Sequence, residues 1–186
     1  MTLYALALFV HIVGSLLLCT AFTAEGIGLF HLRLATTGRG LDQWERVLGL
    51  GRIFGPASAV AILASGLYMM VTSWGWVPWL ATGLLAWVLI AVLGATNGIR
   101  LSMAVRRAAA GTLTGTGLRS RGFVISWFTR LSIAVGIVFL MTTKPDLVPA
   151  LLCVVVTGAI GVAAGAAVSR NANPSTVAGR PGGAGL

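Results

Sequence analysis

The side chains of this chain that could do chemistry are the few polar ones set inside long apolar runs. His11 stands within LYALALFVHIVGSLLLCTAFTA. An imidazole there could hold a cofactor, carry a proton, or hydrogen-bond to a neighbouring helix. Glu25 is the one acid of the same run, and Arg52, Asn97, Arg100 and Arg130 fall in or at the edges of three later runs. At about 1.5 Å per residue, His11 lies roughly 12 Å from the start of its membrane segment and Glu25 about 33 Å along it. Asn97 and Arg100 come to the level of Glu25 on the third run, and Arg52 approaches it on the second. Arg130 lies about two turns deeper on the fourth, with a side chain long enough to reach back. Charge in hydrocarbon is costly unless paired, so Arg130 requires a partner.

Two chemistries suit this group. One is an ion-pair and hydrogen-bond cluster that ties helix ends together. The other is an anion site or proton path through Arg130, Arg52 and Glu25. A third, blander option is that the arginines meet lipid phosphates. Lys144-Pro145-Asp146 closes the fourth run. Proline pushes the residue before it out of the helical region, Lys144 can meet the last helical carbonyls, and Asp146 can cap the next helix or pair with Lys144. An external ligand contact is the alternative for this motif.

Other site chemistries find no support in the residues. His31 follows His11 by about 30 Å of helix, too far for the two to share a metal or haem within one subunit. HxxxH, CxxC and HExxH spacings are absent, and Cys19 and Cys153 lie in apolar runs without Cys or His neighbours; both read as small buried residues. A GxSxG elbow and a phosphate-binding glycine loop are missing as well. The run GTLTGTG at 111–117 reads as a flexible connector.

The elements that must position these residues follow from composition. The chain has 186 residues, 57% hydrophobic and only 9% charged, where soluble domains carry about 25% charged residues. Its mean hydropathy is +0.94. Apolar runs of about 20 residues, long enough to span a bilayer, recur throughout. No ten-residue stretch alternates as a membrane β-strand would, so helices are the spanning elements. The expectation is an all-α, polytopic transmembrane bundle in one domain, residues 1–169. Its five spans cover about 3–24 (continuing as helix to near Ala35), 47–73, 77–102, 122–143 and 147–169. A Gly- and Pro-rich tail, 170–186, reads as disordered. No basic residue precedes His11, so the first span is expected to be retained and not cleaved as a signal.

Charge sets the orientation. Arg33, Arg39, Arg46, Arg52, Arg100, Arg106, Arg107, Arg119, Arg121, Arg170 and Arg180 fall on one side, and Lys144 alone on the other. The positive-inside rule puts the N-terminus outside and the tail in the cytoplasm. The net charge of +9 then speaks for anionic headgroups at the cytoplasmic face and against a nucleic-acid partner. Trp74, Trp76 and Trp79 mark one interface and Trp44 the other, while Trp87 lies deeper as a packing residue. Gly51/Gly55, Gly94/Gly98 and Gly161/Gly165 allow close helix approach, in a compact bundle or in a homo-oligomer built through the fifth span.

Several of these segments together resemble a known group. LYALALFVHIVGS, GPASAVAILASGLYM, the SWGW that follows and, most specifically, GIVFLMTTKPDL resemble the bacterial integral-membrane family known only as domain of unknown function 2269. The resemblance covers about residues 1–165. It implies a helical membrane fold in the bacterial inner membrane and no defined activity. More distantly, the first-span histidine followed by small residues is similar to the CopD and HemJ type of small membrane proteins. That similarity implies haem and protoporphyrinogen oxidation, with His11 at the matching position. The functional expectation is a non-enzymatic membrane component: a small transporter, a permease partner or an assembly subunit. The alternative is a haem- or quinone-linked redox protein using His11.

Overall fold

The computed structural model describes the backbone of residues 2–34, 38–109 and 120–171, and the side chains of 2–31, 49–104, 107 and 120–170. Five α-helices account for nearly all of it: α1 Leu3–Leu34, α2 Gly38–Met69, α3 Pro78–Ala109, α4 Arg121–Thr143 and α5 Leu147–Asn171. All five contain a segment long and apolar enough to cross a membrane. The expected tail beyond Asn171 and the 111–117 connector lie outside the described residues, as do the side chains of Trp44, Arg33, Arg39, Arg46, Arg106, Arg119 and Arg180.

The helices outrun the apolar runs at one end. α2 begins at Gly38 and not near residue 47, and α3 continues to Ala109, not to 102. The cause is that an α-helix satisfies its own backbone wherever it runs, so charged segments such as GRGLDQWERV and RLSMAVRRAA extend it past hydrocarbon. At the other end α2 changes hand-hold. Met70–Trp74 forms a π-helical turn that closes with Gly75 N–H donating to the Met70 carbonyl at 2.7 Å. Gly75 adopts φ 66°, a region glycine enters without a Cβ penalty. Three residues later Pro78 opens α3 at the first helical position, where its missing N–H has no intrahelical role.

Packing divides the bundle into two groups. α1 lies along α2, and α4 lies along α5 with α3 against both; contacts between the groups run mainly from α1 to α4, with few from α2 to α3. Glycine sets the closest approach. A Cβ on Gly161 or Gly165 would stand 2.6 Å from the Cα of Thr129 or Ile125 on α4, so two backbones meet there with nothing between them. The surface opened by this glycine pair is therefore filled by α4 within the chain. Gly14 lets Ala61 and Ile62 of α2 come close to α1, though less tightly: a Cβ there would stand 3.0 Å from the Ile62 side chain.

Where the groups touch, Phe22, Ala86, Ile90 and Ile133 form a small buried cluster, flanked by Leu18 and Trp127. Outside it, large apolar side chains face outward in every helix, among them Phe9, Ile53, Val60, Leu85, Val138 and Val155. A water-soluble monomer rarely exposes such continuous apolar surface, and lipid is the solvent that suits it. The architecture is that of a multi-pass membrane protein.

Candidate functional site

Three of the five residues expected to cluster do meet. Glu25 of α1 accepts from Arg130 Nη2 of α4 at 2.5 Å and from Asn97 Nδ2 of α3 at 3.0 Å, both through Oε1. Arg130 is 5% exposed and Asn97 equally enclosed. Arg130 Nε also points at the Ser126 carbonyl at 3.4 Å, and its guanidinium lies over the Phe22 ring, 5.5 Å from the centroid. One carboxylate thus bridges three helices drawn from both groups. Counted along α4 (Arg121–Thr143), Arg130 is about 14 Å from the helix start, well inside a segment long and apolar enough to cross a membrane. A charge so placed is tolerable because it is paired and hydrogen-bonded.

Arg52 and Arg100 stay apart from this set. Both are exposed, and both stand near the ends of their apolar segments, which run Gly49–Trp74 and Pro78–Ala104. That is only about 5 Å in from the edge by helical rise. Exposed guanidinium groups at such positions need no protein carboxylate.

A second polar anchor was not foreseen from the sequence. Trp127 Nε1 of α4 donates to the Phe22 carbonyl of α1 at 2.9 Å. Gly26, one turn beyond Phe22, makes room for it: a Cβ at that position would lie 2.6 Å from the indole. No spacing rule within either helix pairs these two residues; only the crossing of α1 over α4 does.

Beside these anchors the two helix groups leave space. An apolar groove of about 940 Å³ runs between α1 and α2 on one side and α3 and α4 on the other. Its walls extend from His31 and Trp127 to Leu80 and Met141, a rise of about 21 Å counted from Trp127 to Met141 on α4. A second cavity of about 530 Å³ opens among α1, α2 and α3, with Glu25, Arg52 and Arg130 in its walls. Leu18, Phe22, Trp87 and Ile90 line both and form the partition between them. Trp87 is therefore a dividing wall as well as a packing residue. Pro56 lines the second cavity too; it sits inside α2 and cannot donate to the carbonyl four residues earlier.

His11 stands on the wall of the groove. Its Nδ1 is 3.1 Å from Ser65 Oγ on α2. The Ser65 hydroxyl has one proton, and that proton goes to the Ala61 carbonyl at 2.5 Å. That direction suits the tautomer in which His11 Nδ1–H donates to Ser65 and Nε2 is the acceptor of the ring. Gly66 packs against the same imidazole. These residues fit haem poorly. His11 supplies one ligand, no Arg or Lys lines the groove to meet propionates, and among the described residues no three His, Cys, Asp or Glu side chains gather as a metal cluster.

The Lys144-Pro145-Asp146 motif lies at the opposite end of the bundle from Arg52 and Arg100. Lys144 occupies the left-handed region at φ 50° and ψ 53°, and its N–H donates to the Leu140 carbonyl at 2.9 Å. Its ammonium rests over Trp74, 4.1 Å from the ring centroid, with Trp79 at 6.0 Å. Trp74 and Trp79 meet edge to face at 5.7 Å. The lysine therefore joins the α4–α5 connection to the α2–α3 connection by cation–π attraction. The Asp146 carbonyl accepts from Ala150 N–H at 3.0 Å and begins α5.

Comparison with protein-family models, with curated proteins and with solved structures gives no match to this chain.

Proposed function

We propose that this chain is a non-enzymatic component of the bacterial inner membrane that takes a lipid-soluble molecule into the groove between its two helix groups. A small carrier or a permease partner works in this way. The observation that carries the reading is the groove itself: about 940 Å³, walled almost wholly by apolar side chains, and reaching from one end of the bundle toward the other. A void of that size lined by Leu, Ile, Val, Phe and Trp gains nothing from water and fills with apolar matter from the bilayer. Single polar groups then orient the guest, and His11 Nε2 is the acceptor on that wall.

In this reading the N-terminus and Lys144 lie outside, while the arginine-rich end faces the cytoplasm and its anionic headgroups.

Native mass spectrometry of the protein released from nanodiscs tests the groove. The expected result is a lipid-soluble molecule retained per chain, and its loss in Val138→Trp, an exposed groove position. Absence of any retained molecule, or equal retention by Val138→Trp, would overturn the proposal.

A further inference from the structure

The second cavity differs from the groove in carrying charge. Two guanidinium groups, Arg52 and Arg130, and one carboxylate, Glu25, line it; Glu25 pairs with Arg130. Glu25 Oε1 is already engaged by Arg130 Nη2 and Asn97. Arg130 Nη1, by contrast, donates to no protein group among the described residues, although the residue as a whole is 5% exposed. It points along the α3 wall, 3.2 Å from where a Cβ on Gly94 would stand. Gly94 and Gly98, both in that wall, remove the side chains that would otherwise fill the space in front of it. No buried side-chain donor among the described residues lacks a partner, so Nη1 is a donor open to the cavity, and a guanidinium donor so placed is a ready partner for an oxyanion. Away from the arginines the lining is apolar: Leu18, Phe22, Ala91 and Trp87.

We infer that this cavity binds a long-chain amphiphile with an anionic head, a carboxylate or a phosphate. The head sits between Arg52 at the mouth and Arg130 Nη1 inside, and the chain lies against Leu18, Phe22 and Trp87. Charge selects the head, and the apolar partition takes the tail. This site is separate from the groove and stands without it.

Thermal unfolding of the purified protein in a mild detergent tests the inference, with oleic acid, oleyl alcohol, phosphatidylglycerol and phosphatidylcholine as probes. The expected result is that an anionic probe raises the Tm at concentrations where the alcohol and the zwitterionic lipid do not. Stabilisation by oleic acid alone identifies a free fatty acid as the source of the head, and stabilisation by phosphatidylglycerol alone identifies a phospholipid. Arg52→Gln, an exposed position outside the Glu25–Asn97–Arg130 set, should raise the half-saturating concentration at least fivefold. Gly98→Leu, where a Cβ meets nothing within 4 Å, should fill the cavity and abolish the response while the protein still melts cooperatively. Val138→Trp in the groove should leave the response intact. Equal stabilisation by oleyl alcohol, no response to either anionic probe, or an unchanged response in both cavity variants would overturn the inference.

Discussion

Glu25 is the residue on which the charged cluster turns, because it alone faces both Arg130 and Asn97. Removing one member of a buried ion pair strands the other, at a cost of about 3–5 kcal/mol, whereas replacing both with apolar groups is often neutral. Arg130→Leu and Glu25→Leu should each lower the Tm in detergent clearly. The double variant should be less destabilised than either single one, and Arg100→Leu should have little effect. Additive losses in the double variant would show that the pair is not the partner set that the contacts indicate. Depth counting along the sequence put Glu25 and Asn97 at one level and Arg130 about two turns deeper, within reach of its long side chain. It could not separate Arg52 and Arg100 from them, because helix tilt and rotation depend on tertiary packing. For His11 the sequence left three roles open. The structure places Ser65 of α2 at 3.1 Å from its Nδ1, a partner that no spacing in the sequence indicates.

At the scale of helices, small residues matter according to what faces them. Gly161 and Gly165 touch the α4 backbone, so an added methyl must push two helices apart; overpacking of this kind costs about 1–3 kcal/mol. Gly55 and Gly98 face open space. Alanine at 161 or 165 should lower the Tm by several degrees, and alanine at 55 should leave it within a degree. Parity among the variants, measured by one melting protocol, would mean that α4 and α5 do not pack as described. The three Gly-xxx-Gly spacings look alike in the sequence, and nothing in the pattern tells an internal seam from a free face. Helix count and type were legible because hydrocarbon demands about 20 apolar residues per span. The extensions into charged segments were not, since apolarity marks the membrane boundary and hydrogen bonding marks the helix end. Lys144 shows the same limit. Its neighbours within the motif suggested a dipole contact or a bond to Asp146, but its ring partners lie some seventy residues away on the α2–α3 connection.

On the scale of the whole molecule, the arrangement of two helix groups explains both the anchors and the voids. α1 meets α4 through two polar contacts, Glu25–Arg130 and Trp127–Phe22, and through one small apolar cluster. Those contacts hold the groups together at one depth and leave space on either side of the Leu18–Phe22–Trp87–Ile90 partition. Such voids have no sequence signature, because each wall residue is an ordinary apolar side chain that could equally face lipid or core. The central claim is that the space between the groups is open to acyl chains and occupied by them. A variant retaining Trp87 as its single tryptophan, placed in bilayers with bromine on the lipid chains, tests this most directly. The expected result is strong quenching of Trp87, reduced when Gly83→Leu in the same single-tryptophan background narrows the groove. Trp87 fluorescence untouched by brominated chains would show that the two groups close on each other, and would contradict the account.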